Sequence, residues 1–350
     1  MLGTNAAHGT EFQYFLRKET NMKNNTTDIC SVMMRPRELN FLAAFLILLL
    51  SIISMSGNGL VLLSFATFNQ LRQQKGSYFV INLAVSDFLC SVYVMIPCAV
   101  YLIERTMRID GFACTFHGII NSTLITSSNM SLAAINIDRA IAITKPFEYR
   151  NLVTAFRVRI AIVYIWTHCL CLAATSGLGG WVFFEEWELM CSPSWSSENV
   201  VYSLIAAILS FGLPSTLLLI SNITIVYAIR KSRSVVFQND SSSGGQQLTV
   251  KKYTRTLRSL YFLVMVHFLC APSYYIVKIG TAILGRTVIL DGLCLLPVTL
   301  LFTSAAVNPF IYALLRRDHR KAFLDTLRMI YRKLKAIYIF LFGDSFTEAE

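Results

Sequence analysis

Asp87 stands inside an apolar run, Asn82-Leu83-Ala84-Val85-Ser86-Asp87. An ionisable group at that depth in a membrane costs about 2.5–3.5 kcal/mol on insertion scales, so it needs partners and points to function. Asn58, Ser128 and Asn308 occupy other apolar runs. With Asp87 they are expected to form a hydrated polar cluster or a sodium site; the alternative is a network that only joins helices. Asn308-Pro309-Phe310-Ile311-Tyr312 places an amide and a helix-breaking proline in a further apolar run, where backbone freed by the proline must be satisfied by neighbouring helices. Asp138-Arg139 sets an acid beside a base at the end of another. Alone, that could be a pair snorkelling to the boundary.

Other chemistries lack their residues. The five histidines, His8, His117, His168, His267 and His319, show no metal-ligand spacing. No glycine-rich phosphate loop and no clustered Ser/His/Asp set occurs, so no enzyme and no metal site are expected. Of nine cysteines, Cys114 and Cys191 flank apolar runs on one side, facing an oxidising compartment. A disulfide between them would pin the intervening loop across the bundle mouth, contributing roughly 2–4 kcal/mol. Cys30 has no obvious partner.

These residues need a membrane bundle to position them. The chain has 350 residues, 55% of them hydrophobic and only 15% charged, a composition for an integral membrane protein. Runs of the roughly 20 residues needed to cross the hydrocarbon recur near Phe41–Ala66, Tyr78–Ile103, Phe112–Ile143, Ile160–Gly179, Val200–Ile229, Thr256–Leu284 and Ile289–Leu315. The fold class is therefore an all-α membrane protein, a bundle of seven transmembrane helices.

Basic residues orient it. Arg72, Lys75, Lys145, Arg150, Arg157, Arg159, Arg230, Lys231, Arg233, Lys251, Lys252 and Arg255 fall in the loops after spans 1, 3 and 5, and Arg316, Arg317, Arg320 and Lys321 follow span 7. The loop before span 5 is acidic, with Glu185, Glu186, Glu188 and Glu198. This sets the N-terminus outside and the C-terminus in the cytoplasm. The net charge of +11 belongs to the cytoplasmic face, suiting anionic lipid headgroups and an acidic protein partner, with no nucleic acid implied.

The expected organisation is an extracellular segment 1–38, a seven-span domain 39–315, an amphipathic helix 316–332 on the inner surface and a cytoplasmic tail 333–350. No cleavable signal peptide is read, and span 1 serves as the anchor. Asn24 and Asn25 head two overlapping glycosylation sequons outside. The similar sequons at Asn121 and Asn129 lie within span 3 and are not expected to be used. Asp240–Gly245 reads as a short linker.

Gly57-Asn58, Leu83 to Asp87, Cys114 with Asp138-Arg139, Trp166, Pro214, Pro272 and Asn308 to Tyr312 arrive in one order. Together they resemble the rhodopsin-like (class A) G-protein-coupled receptors over roughly residues 40–330. Within that family Leu132 to Pro146, the loop from Gly180-Trp181 through Glu185 to Cys191, and Thr303-Ser304-Ala305 resemble the opsins, and the whole is similar to the lysine-less, placopsin-like opsin relatives of early-branching animals. Where opsins carry the retinal-binding lysine this chain has Phe302, which has no nucleophilic nitrogen. Lys278 sits too far toward the outer end of span 6 to replace it. His117 stands at the counterion position, and Glu185 matches the loop acid of opsins.

The resemblance implies a plasma-membrane, multi-pass receptor acting on a heterotrimeric G protein. A small-molecule ligand, noncovalent retinal included, would touch His117, Asn121, Ser122, Glu185, Cys270, Tyr274, Tyr275 and Phe302, with no covalent cofactor. Asp138, Arg139, Asn308, Pro309 and Tyr312 would carry switching. Asn121 replaces the aspartate that amine receptors use, which disfavours a cationic amine. Cys270, Asn222, Ala140 and Lys252 also depart from the family pattern; without the acid usual at Lys252, basal activity is expected to rise. The alternatives are a non-photosensory receptor for a lipid, peptide or neutral small molecule, a receptor-shaped protein that no longer signals, and a transporter or ion pathway.

Overall fold

The computed structural model describes residues 35–105, 109–239, 243–284, 295–315 and 317–342. Helix α1 (Arg37–Thr67) carries Glu38 in its first turn, where a carboxylate meets the positive end of the helix dipole. Helix α2 (Ser77–Glu104) widens through one π-helical turn, Ser91–Met95. Helix α3 (Gly111–Thr144) is followed by α4 (Ala155–Leu178), whose start is capped by the Thr154 hydroxyl accepting from the Arg157 amide at 3.3 Å.

A hairpin follows, with strand β1 (Val182–Glu185) antiparallel to β2 (Met190–Pro193). Its register pairs Phe184 with Cys191 and Glu185 with Met190. Leu189, at φ 62°, supplies the left-handed residue that closes the turn, with its amide and that of Glu188 both donating to the Glu185 carbonyl.

Helix α5 runs Val200–Ala207, a π-helical turn Ile208–Gly212, then Leu213–Asn239. Helix α6 (Ser243–Leu284) contains Pro272, and α7 (Leu296–Leu315) contains Pro309. Of the expected linker, 240–242 lie outside the described residues and 243–245 already belong to α6. Helix α8 (Arg317–Phe342) extends ten residues beyond the expected end at 332. The extra turns become apolar all round from Ile337 on, with Ile337, Tyr338, Ile339 and Phe340 all exposed.

The helices form a closed ring. α1 packs on α2 and α7, α7 on α6, α6 on α5, while α3 runs through the centre against α2, α4, α5 and β2. α8 returns along α1, where the Ser64 and Thr326 hydroxyls meet at 2.8 Å. α1, α2, α4 and α5 are by length and composition long and apolar enough to cross a membrane. The central α3 has less lipid to face and carries buried Ser, Thr, Asn and Asp in its place. Outward-facing residues such as Phe45, Ile52, Val163, Ile223 and Leu269 are exposed. An apolar belt this extensive is stable against hydrocarbon, not water.

Close approaches fix the ring. A Cβ on Gly57 would lie 2.8 Å from Pro309 Cγ, so α1 meets the α7 kink only because that position is glycine. A Cβ on Gly118 would strike Val182 of β1 at 2.4 Å, so the hairpin sits directly on α3.

Candidate functional site

The hairpin closes one end of the bundle. Cys114 at the start of α3 is bonded to Cys191 of β2, with Cα atoms 5.4 Å apart. Two turns further along α3, Asn121 Nδ2 donates to the Met190 sulfur at 2.8 Å and to the Cys191 carbonyl at 3.3 Å. Its Oδ1 is buried with no hydrogen-bond partner among the described residues.

From the other side Lys278 of α6 reaches in. Its Nζ lies 2.7 Å from Glu188 Oε1, 3.1 Å from Ser192 Oγ and 2.6 Å from the Pro193 carbonyl. Tyr274 donates its hydroxyl to Glu188 Oε2 at 2.6 Å. Lys278 is 3% exposed and Glu188 1%, so this is a fully buried ion pair. Such a pair holds only because both charges have further polar partners. The Trp195 and Tyr274 rings add cation–π contacts at 5.4 and 5.7 Å.

Beneath the lid lies a cavity of about 50 Å³ bordered by Asn121, Ser122, Trp195, Tyr274, Tyr275 and Lys278. Tyr275 stacks on Phe211 at 4.5 Å, and its hydroxyl accepts from Asn129 Nδ2 at 3.2 Å. The same amide reaches the Ser210 carbonyl in the π-helical turn of α5, using a backbone acceptor that a regular helix would occupy. Of the other expected ligand contacts, His117 Nε2 meets the Tyr93 carbonyl of α2 at 3.0 Å. Glu185 ends β1, paired with Met190, and Cys270 is buried in α6.

Deeper in the bundle the polar cluster is assembled around Asp87. Ser128 donates to one carboxylate oxygen and Asn308 to the other, each at 2.7 Å. Asn58 bonds Ser54 and, at 3.4 Å, the Ala305 carbonyl; Ser91 links Ser54 to the Asp87 carbonyl. Thus Asn58 joins the cluster through two serines without touching the carboxylate. A space of about 20 Å³ lies beside Asp87, Ser128, Asn129 and Phe302, room for about one water. Phe302 is 1% exposed and packs among the residues around Tyr274 and Tyr275.

At the far end Asp138 accepts from the Tyr149 hydroxyl at 2.6 Å and lies 3.2 Å from Arg139 Nη2. Gly76, in the turn between α1 and α2, faces that carboxylate: a Cβ there would lie 2.3 Å from its oxygens. Asn222 of α5 donates to Asn136 Oδ1 of α3 at 3.2 Å. The side chains of Tyr312 and Lys252, together with Asn24, Asn25 and Cys30, lie outside the described residues. Among the described residues no group of three His, Cys, Asp or Glu side chains could hold a metal.

This seven-helix ring with an acid–base pair at one end and a disulfide-pinned hairpin at the other agrees with the family model "7 transmembrane receptor (rhodopsin family)", which matches residues 57–312. The chain belongs to this family. The receptor is 26% identical over 284 residues to the histamine H2 receptor of Cavia porcellus, covering 79% of this chain and 77% of that protein. It is 27% identical over 277 residues to that of Homo sapiens, covering 78% and 76%. It is also 26% identical over 306 residues to melanopsin-B of Gadus morhua, covering 85% of this chain and 49% of the melanopsin. Its relatives are receptors, and it is a receptor and not an enzyme.

Glu188 and Gly76 are the site residues that sequence reasoning missed. Lys278 gave the signal for the first, since a lone cation in an apolar helix requires an acid. Nothing in the sequence announced Gly76, because its neighbour Asp138 is 62 positions away.

Proposed function

We propose that this receptor transduces binding of a noncovalent ligand into activation of a heterotrimeric G protein, and that it is an opsin relative unable to form a retinal Schiff base. The carrying observation is Phe302, buried where the resemblance places the reactive lysine. Lys278 does not substitute, because its amine is engaged by Glu188, Ser192 and the Pro193 carbonyl. The N-terminus and hairpin lie outside and the Asp138 end faces the cytoplasm, an orientation supported by the basic residues around that end.

Ligand would sit beneath the hairpin against Asn121, Ser122, Tyr274 and Tyr275. The cavity of about 50 Å³ is far below the roughly 300–1,000 Å³ of ordinary ligand sites, so binding selects a conformation in which Trp195 or Tyr275 has moved. That preference between two states is what shifts the bundle. Asp138, Arg139, Asn308, Pro309 and Tyr312 would relay the shift, with the Asp87 cluster as a hydrated or sodium-occupied pivot. The names of the histamine receptors raise a cationic amine as ligand. Asn121 argues against it, being an amide where an ammonium needs a carboxylate.

Purifying the receptor with 11-cis-retinal and recording its spectrum tests the first half. No adduct should survive denaturation; a covalent red-shifted band would refute it. Nucleotide exchange on a panel of G proteins, lost in Arg139→Ala, tests the second. Solute flux without exchange would favour a transporter.

A further inference from the structure

We infer that the ligand of this receptor is an uncharged, hydroxyl-bearing lipophile that reaches the cavity sideways from the bilayer, between α4 and α5, through a gate formed by Tyr202 and Leu172. The inference deepens the receptor reading above and rests on it for what the cavity is for, though the route stands on its own geometry.

A groove of about 640 Å³ runs down the outside of α4 and α5, from Trp181 and Asn199 at the hairpin end to His168 and Leu209. Both helices are long and apolar enough to cross the membrane, so what fills the groove comes from the bilayer. The inner cavity beneath the hairpin is about 50 Å³. Leu172 and Tyr202 border both spaces. They are the wall between them, held by a 3.3 Å hydrogen bond from the Tyr202 hydroxyl to the Leu172 carbonyl, with Trp181 tilted against the Tyr202 ring at 5.1 Å. Tyr202 is half-buried, so the wall would open by turning this one side chain, a faster motion than the separation of packed elements.

The axial route is shut by comparison. The hairpin is fastened by the Cys114–Cys191 disulfide, by Asn121 to Met190 and Cys191, by Lys278 to Glu188, Ser192 and Pro193, and by Tyr274 to Glu188. Opening it breaks a buried ion pair and strands both charges.

Two unpartnered polar atoms lie along the lateral path. His168 Nε2 is buried on the groove wall and Asn121 Oδ1 is buried on the cavity wall, neither with a hydrogen-bond partner among the described residues. Asn121 Oδ1 is an acceptor and seeks a donor, which a hydroxyl supplies. The acid Glu198 borders the groove at its hairpin end and disfavours a carboxylate or phosphate headgroup. Lys278, the cation bordering the cavity, is already neutralised by Glu188.

The test uses the full-length receptor in phosphatidylcholine nanodiscs with a long-chain alcohol carrying a diazirine, photolysis, and mapping of the labelled peptides. Labelling should concentrate on the α4 and α5 peptides around Leu172 and Tyr202 and on the α3 peptide holding Asn121, above the level on lipid-facing α1. The same chain ending in a carboxylate should label the α3 peptide less. Cys171→Trp, or Ile205→Trp on the opposite wall, should fill the groove and bring the α3 labelling down to the α1 level, with thermal unfolding confirming a folded receptor. α3 labelling that persists with the groove filled, or groove labelling no stronger than that of α1, would overturn the proposal. Nucleotide exchange is read separately. Gated labelling without exchange keeps the lateral route and removes the proposed activation of a G protein, whereas exchange without gated labelling does the reverse.

Discussion

Lys278 of α6 and Glu188 of the hairpin turn meet at 2.7 Å in a place where neither reaches solvent. Residues 90 positions apart thereby fasten the hairpin to the bundle from the side opposite the disulfide. Removing one partner strands the other charge, so Lys278→Met should destabilise the receptor by about 3–5 kcal/mol. Lys278→Met combined with Glu188→Leu should lose much less. Thermal unfolding of the purified single and double variants decides this, and equal losses would contradict the buried pairing.

The disulfide is the second fastening. Replacing Cys114 and Cys191, 77 residues apart in sequence, together by Ala frees the hairpin from α3 and should lower stability by roughly 2–4 kcal/mol. Lys278→Met in that background should loosen the hairpin further, seen as faster hydrogen exchange of the 182–193 amides. Exchange unchanged by either replacement would mean that the hairpin is held elsewhere.

Asn121→Asp should not create an amine receptor. The carboxylate would lose both donated contacts, to Met190 and to the Cys191 carbonyl, and would face that carbonyl oxygen instead. A loss of about 1–3 kcal/mol in stability is expected from the stranded groups. Radiolabelled histamine should bind neither parent nor variant; saturable binding to the variant would show that the site is built for an ammonium.

At the opposite end Gly76→Ala inserts a methyl against the Asp138 carboxylate. Overpacking there should cost about 1–3 kcal/mol and push Asp138 away from Tyr149 and Arg139. With Arg139 released, basal nucleotide exchange should rise. Tyr149→Phe removes the 2.6 Å hydrogen bond without added bulk and should act in the same direction but more weakly. Basal exchange unaltered in both variants would separate Asp138 from restraint of Arg139.

The seven spans were legible because crossing hydrocarbon imposes length and apolarity on each segment separately, a requirement readable without neighbours. Asp87, Ser128 and Asn308 were legible as a cluster for a related reason, since each polar group in an apolar run must find another. Glu188 was not: four acids share its loop, and only the left-handed Leu189 and the disulfide beside it select the one that turns inward. His117 shows the same limit from the other side. Its helix position was evident, but its bond to the Tyr93 carbonyl depends on the π-helical turn of α2 that contains Tyr93. α8 outran its expected length because no glycine or proline interrupts residues 317–342.

The sequence by itself therefore determined that this is a membrane bundle of the rhodopsin-like receptor family, and that position 302 carries a phenyl ring with no amine. Those are statements about residue type, and chemistry absent from a side chain stays absent in any fold. Only the tertiary structure decided that Lys278 is locked to Glu188, that Gly76 supports Asp138, and that Tyr202 and Leu172 stand between a lipid-facing groove and the cavity. Each of these depends on atoms far apart in the chain brought within a few ångströms, and contacts of that range are fixed by packing, not by spacing along the sequence.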